Sequence, residues 1–237
     1  MIERFYPAND KVLNFKFVQN DEDFIVEEQA IRFSGAGSFL VLKIEKSNCD
    51  TWELIDRLAK FLNVFSNEIG YAGLKDKRAT TIQYITIPKK YSKDIKLFKN
   101  KKITILDTFL HNAKLNIGDL EGNRFKINLQ KVEIADVNHI QKIIKIISRD
   151  GMPNYFGYQR FGKDVVDNLA KAKDVVYGEE LVKDKKLSKM LVAAYQSSFF
   201  NAWLVERLKL SKDYFDLLDG DVFMDLEKDK IFTPKSI

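Results

Sequence analysis

Hydrophobic and polar positions alternate in two short runs near the start of the chain. "DFIVEE" (Asp23–Glu28) and "SFLVLKIEK" (Ser38–Lys46) have the period of two that a half-buried strand requires, and "SGAGS" between them supplies turn residues. The period then lengthens. In "DTWELIDRLAKFLNVF" apolar residues recur at helical spacing, with Trp52, Ile55, Leu58, Leu62 and Phe65 as the predicted buried stripe. Asp50 stands where an N-cap belongs and Glu53 follows at the spacing of a capping box. "TTIQYITIP" returns to a strand and is stopped by Pro88.

Further on, "HNAKLNIGDLEGNRFKINLQ" predicts two strands joined by a turn that carries Gly and Asn. In its second half Phe125, Ile127 and Leu129 alternate with Arg124, Lys126 and Asn128. Asp136 is predicted to cap a helix through Arg149 with Ile140, Ile143, Ile144 and Ile147 buried, and Gly151 stands at its left-handed end. The glycine-punctuated "PNYFGYQRFG" reads as a loop. From about Val165 the pattern is mainly helical, and Ser188 is predicted to open a long helix to Leu210 with Leu191, Tyr195, Phe199 and Trp203 on its core face. Strands and helices mix without a regular βαβ rhythm, which predicts an α+β fold.

Composition narrows the class. With 237 residues, 45% hydrophobic and 31% charged, the chain can bury a core, and disorder is not expected. Lys and Arg exceed Asp and Glu by 39 to 34, a balance that suits a polyanionic partner without demanding one. The single cysteine, Cys49, excludes an internal disulfide, and with His111 and His139 it gives no metal-ligand spacing. "MIERFYPAND" has no apolar leader, and no run reaches about 18 apolar residues. A cytoplasmic protein with no membrane segment is the expectation. Positive charge concentrates in Lys89–Lys102, where seven lysines meet one acid. That run reads as a solvated loop or as a patch that tracks phosphate.

Two stretches carry candidate chemistry. In "YAGLKDKRATTIQ" (Tyr71–Gln83) Asp76 lies among Lys75, Lys77 and Arg78, between a predicted helix and a strand. It reads as a charged turn or as a carboxylate that adjacent cations hold ionised, if they also lie near it in space. An ionised carboxylate can serve as nucleophile or base. In "MPNYFGYQRFG" Tyr155, Phe156, Tyr158 and Phe161 surround Arg160. Such a loop either plugs a core or stacks an unpaired RNA base while an arginine or the backbone holds phosphate.

"GYAGLKDKRATTIQ", "HNAKLNIGDLEGNRF", "MPNYFGYQRFG" and "AAYQSSFFNAWLVERL", in this order and after an opening "DEDFIVEE", resemble the TruD family of tRNA pseudouridine synthases over about residues 20–225. The resemblance implies a mixed, largely antiparallel sheet flanked by helices, with a catalytic domain over 1–181 and the beginning of an inserted domain over 182–237. It implies a uridine-to-pseudouridine isomerase acting on tRNA, with uridine 13 the first guess. No metal, ATP or other cofactor is needed, and the oligomeric state is left open. The family's G-x-K-D motif falls on Gly73, Leu74, Lys75 and Asp76, which makes Asp76 the implied catalytic residue. The N-x-F-G-x-Q-R-F-G motif places Asn154, Phe156, Gln159 and Arg160 at the substrate, with Phe156 against the target base. Lys75, Arg78, Asn123 and Arg124 join the implied substrate contacts.

Two departures stand out. Many relatives carry a lysine six residues before the phenylalanine of the opening strand, as partner to the catalytic acid. Counting back from Phe24 reaches Val18, so Lys16 is the nearest candidate. "LLDGDVFMDLEKDKIF" resembles the start of the family's inserted domain, and the returning catalytic segment does not follow within these 237 residues, so a C-terminally truncated chain is expected. Two other readings stand beside the isomerase. One is an RNA-binding protein or fragment without turnover. The other is a hydrolase using Asp76, which lacks the paired acid such chemistry usually needs in its motif.

Overall fold

The first two predicted strands form where the alternation places them, as β1 (Phe24–Ala30) and β2 (Phe39–Ser47). In the computed structural model residues 4, 6, 13–162, 164–210, 216–225 and 230–233 are described. The chain divides into two compact units. One is Asn14–Glu133, and the other takes the described residues on either side of it.

In the Asn14–Glu133 unit, helix α1 (Thr51–Leu62) is followed by β3 (Gly70–Tyr71), β4 (Thr80–Pro88), β5 (Ile103–His111) and β6 (Leu120–Ile127). The sheet order is β5-β2-β4-β1-β6, with β3 also on β4. Among the described strands only β1 and β4 pair in parallel, so the sheet is mixed and largely antiparallel. Asp50 caps α1 as expected, its Oδ1 accepting from Glu53 N at 2.8 Å, and Asn63 closes the helix in a left-handed conformation. The buried stripe of α1 is Leu54, Ile55, Leu58, Ala59 and Leu62. Ile55, Leu58 and Leu62 of the expected stripe are buried, whereas its two ends are corrected: Trp52 and Phe65 are 60% and 79% exposed, and Phe65 lies beyond the helix.

Between α1 and the sheet lies the core, with Leu40, Leu42, Ile44, Ile85 and Ile87 on the strand side. The strand predicted to begin at His111 begins instead at Ile103, and residues 112–119 form irregular turns. A shift of register opposite Lys43–Ile44 breaks the alternation of β5, which hides it from a period-two search.

On β2 the core phase Leu40, Leu42, Ile44 continues to Lys46, which is 1% exposed. Its Nζ donates to Cys49 O at 2.5 Å. Burial pushes the Lys46 ammonium down to about 8. The sign follows from linkage. Between about pH 8 and 10.5 the folded state holds fewer protons than the unfolded chain, so this group adds stability as pH rises through that window. Below it both states are protonated and the full penalty, about 3 kcal/mol, is present. Lys46→Met is therefore expected to gain about 1–3 kcal/mol near pH 7. In urea melts the gain should shrink as pH rises from 8 to 10.

The second unit contains α2 (Ile134–Asp150), α3 (Tyr158–Phe161), α4 (Val165–Tyr177), α5 (Lys185–Lys209) and a hairpin of β7 (Phe223–Asp225) and β8 (Lys230–Phe232). Helix α2 starts at Ile134, before the expected cap Asp136, and Gly151 ends it at φ +80° as predicted. Its isoleucine stripe is only partly covered, with Ile144 and Ile147 exposed. On α5 the buried face is Leu191, Ala194, Ser197, Asn201, Val205 and Leu208. Phe199 and Trp203 are exposed, which corrects their expected core placement. Small residues let α5 approach its neighbours closely, and the aromatics turn outward. Arg207 holds Asp221 through Nε at 2.7 Å and keeps its carboxyl below the usual carboxylate range. The segment resembling an inserted domain thus joins α5 by this pair, and its residues 226–229 lie outside the described ones. Among the described residues no helix is long and apolar enough to cross a membrane.

Candidate active-site loops

The loop between β3 and β4 is held from below. Thr51, the first residue of α1, accepts from Lys75 N at 2.9 Å and donates to Gln83 Oε1 at 3.2 Å. Gln83 Nε2 donates to Gly73 O at 3.3 Å. The Lys75 ammonium is buried, 2.7 Å from Glu28 Oε2 in a contact more ionic than directional, and donates to Asn123 Oδ1 at 2.8 Å. The other Glu28 oxygen accepts from Tyr84 N at 3.2 Å. A Cβ on Gly73 would come within 3.2 Å of Lys75 Nζ, so the glycine of the G-x-K-D motif leaves room for this pair. The backbone is thus fixed up to Lys75, and the next side chain, Asp76, projects to solvent. Among the described residues its carboxylate takes no hydrogen bond or ion pair, which leaves it open to an incoming group.

The cations beside Asp76 in sequence face elsewhere. Lys75 is turned inward to Glu28, and Lys77 lies 3.3 Å from Glu53. Arg78 is exposed and makes no ion pair among the described residues. The condition that these cations lie near the carboxylate is not met by Lys75 and Lys77, which pair with Glu28 and Glu53 instead. Lys46, whose ammonium is perturbed first by burial, also feels the charge of Asp76 as a minor influence. Lys16 pairs through its backbone with Gln130 at 2.7 and 2.8 Å. Its charge acts on Asp23, whose carboxyl is held below its ordinary range first by Asn128, then by Asn20, Gln130 and Lys16. Arg124 is exposed on β6 opposite Glu27.

The second unit carries the other loop. Phe156 is half-buried, and its backbone is clamped by one side chain: Asn201 Oδ1 accepts from Phe156 N at 2.9 Å and Asn201 Nδ2 donates to Phe156 O at 3.0 Å. Arg4 donates to the same carbonyl at 3.0 Å. Phe200 meets the Phe156 ring edge to face at 5.5 Å, and the Arg160 guanidinium lies 4.9 Å from its centroid. Gly162 takes φ +75°, and a Cβ there would strike Asn168 Nδ2, which itself donates to Phe161 O. Tyr155, Phe156, Gly157, Gln159 and Arg160 line an open cavity of 490 Å³. Asn154, Gln159 and Arg160 are exposed at its rim or beside it.

The loop supports were missed by motif reading. Glu28, Thr51 and Gln83 hold the Asp76 loop, and Asn201 holds the Phe156 loop. A signal existed for Glu28, since it falls on the inward phase of β1 with Val26, where a charge demands a partner. Asn201 lies in the "YQSSFFN" stretch, whose aromatics drew attention away from the residue that is fully buried.

The family model described as tRNA pseudouridine synthase D (TruD) matches residues 4–180. A tRNA pseudouridine synthase D of Wolinella succinogenes is 46% identical over 212 residues, covering 89% of this chain and 58% of that protein. One of Sulfurimonas denitrificans is 39% identical over 238 residues, covering 99% and 66%. A solved chain from Methanosarcina mazei, whose description names tRNA pseudouridine synthase D (TruD), superposes with a TM-score of 0.77 at 25% identity, covering 98% of this chain and 71% of that one. The chain spans about three-fifths of the length of these curated relatives. On this match, over some three-quarters of its residues, the chain belongs to the TruD family.

Proposed function

We propose that this chain converts a specific uridine of tRNA to pseudouridine, with Asp76 as the reacting carboxylate and uridine 13 as the target. The observation that carries the reading is the exposed Asp76, without a hydrogen bond among the described residues, at the end of a segment whose preceding residues are fixed by Thr51, Gln83, Glu28 and Asn123. Rigid support with an open reacting group is what positioning of a reactive carboxylate requires. The target base must first leave the RNA stack, at a cost of a few kcal/mol. Stacking on Phe156 offsets roughly 1–3 kcal/mol of that cost. Arg160 now covers one side of this ring, so the base takes the free face or displaces the guanidinium.

The reaction breaks the bond between N1 and C1′ and forms one between C5 and C1′. The C5 proton leaves, N1 gains one, and there is no net oxidation. Ionised Asp76 either attacks C1′ or removes the C2′ proton. Lys75 has an inward role, so the substrate contacts in this unit are assigned to Arg78 and Arg124, and those in the other unit to Asn154, Gln159 and Arg160. Residues 1–181 are read as catalytic domain and 182–237 as the opening of an inserted domain, in a cytoplasmic protein. Incubation with unmodified tRNA, then carbodiimide treatment and reverse transcription, tests the target. One stop at position 13 is expected, and stops at other positions with none there would reassign it.

A further inference from the structure

The lysine run has no structural task for most of its charge. Residues 89–102 are pinned to the core by Ile95, which is buried, and by Phe98, which meets Phe61 edge to face at 5.1 Å. Two 3₁₀ turns, Lys89–Tyr91 and Asp94–Leu97, fix the path between these anchors. Lys93, Lys96, Lys99 and Lys101 are exposed and make no ion pair among the described residues. Among the described residues Lys102 alone of the run approaches a carboxylate, Glu53 at 3.9 Å. The acids on these elements are Asp94 and, on β5, Asp107, whose Oδ1 accepts from Thr108 N at 2.7 Å. A fixed row of like charges with few counter-charges opposes folding unless an outside anion neutralises it.

The run also builds a groove. Lys96 and Lys99 face the edge strand β5 across a 440 Å³ cleft that Asn100, Thr104 and Thr108 line with polar groups over Ile103. Asn100 accepts from Lys102 N at 2.9 Å through its Oδ1, which leaves its amide N–H groups free to donate. Ammonium, amide and hydroxyl donors are the set that proteins turn to phosphodiester oxygens. Position favours the same ligand. Ser47 on β2 pairs with Thr80 at the start of β4, and Lys46 pairs with Ile103 at the start of β5. The groove therefore opens at the sheet end where the Asp76 loop enters β4, two strand spacings across, about 10 Å.

We propose that this groove binds the phosphodiester backbone of the RNA substrate, as a second contact separate from the Asp76 loop. The proposal rests on the chain being an RNA enzyme but not on Asp76 being its carboxylate. Binding of an unmodified tRNA transcript to the full chain is measured across a salt series for wild type, Lys96→Gln/Lys99→Gln and the ion-paired surface control Lys60→Gln. The double variant should bind about tenfold more weakly at low salt, and the slope of log K against log salt should flatten by about 1–2. The control should match wild type. A second variant, Lys96→Glu/Lys99→Glu, should weaken binding further. Slopes equal to wild type in both double variants would overturn the proposal. Pseudouridine formation at saturating tRNA separates the two readings. Wild-type turnover with unaltered slopes removes only the groove, and altered slopes without turnover remove only the activity.

Discussion

Asp76→Asn should lower kcat for pseudouridine formation by about 10³–10⁴-fold, the loss expected when a reacting carboxylate becomes a neutral amide of the same shape. Shape is kept, so the loss isolates charge and nucleophilicity. Asp76 is exposed and takes no hydrogen bond among the described residues. Its replacement should therefore move stability by no more than about 0.5 kcal/mol and leave tRNA affinity near that of wild type. Single-turnover assays beside thermal melts would check both halves. A kcat loss accompanied by a large stability loss would point to a scaffold role for this residue instead.

Glu28→Leu should have the largest effect on stability. It removes the only carboxylate that, among the described residues, pairs with Lys75, whose side chain is 6% exposed, and strips the acceptor from Tyr84 N. An orphaned buried ammonium costs about 3–5 kcal/mol. Adding Lys75→Met removes that charge, so the double variant should recover most of the loss in a urea melt, giving strong non-additivity. Activity should not recover with it. The double variant folds, but the loop then lacks the strut that aims Asp76, and kcat should stay depressed while KM for tRNA changes little. Additive losses in stability would show that the two residues do not act as a pair.

The Glu28–Lys75 pair also shows what the sequence can and cannot convey. Strands β1, β2 and β4 and helix α1 with its Asp50 cap are legible, because each has a clear period and a local stop signal. The motif order that identifies Asp76 and Phe156 is legible too. The partners of their neighbours are not. Lys75, Lys77 and Arg78 look like a ring of charge around Asp76 in one dimension, yet the fold sends Lys75 to a strand 47 residues upstream and Lys77 to the first turn of α1. Such pairings are set by sheet register, which no local window contains.

Aromatic size misleads in a consistent way. Trp52, Phe65, Phe199 and Trp203 are exposed, whereas Ala59, Ala194, Ser197 and Asn201 fill the close contacts. Helical spacing gives a stripe, but which of two adjacent stripes is buried depends on how near the neighbouring element comes. Asn201 could be distinguished only by its partner, the Phe156 backbone, which lies 45 residues away.

Release of tritium from tRNA labelled at uridine C5 tests most directly whether Asp76 carries uridine isomerisation, because the C5 hydrogen is lost only when the new glycosidic bond forms. Wild type should release tritium equivalent to one uridine per tRNA, and Asp76→Asn should release none above background while still binding. Equal release by both proteins, or none from wild type bound to tRNA, would contradict that role.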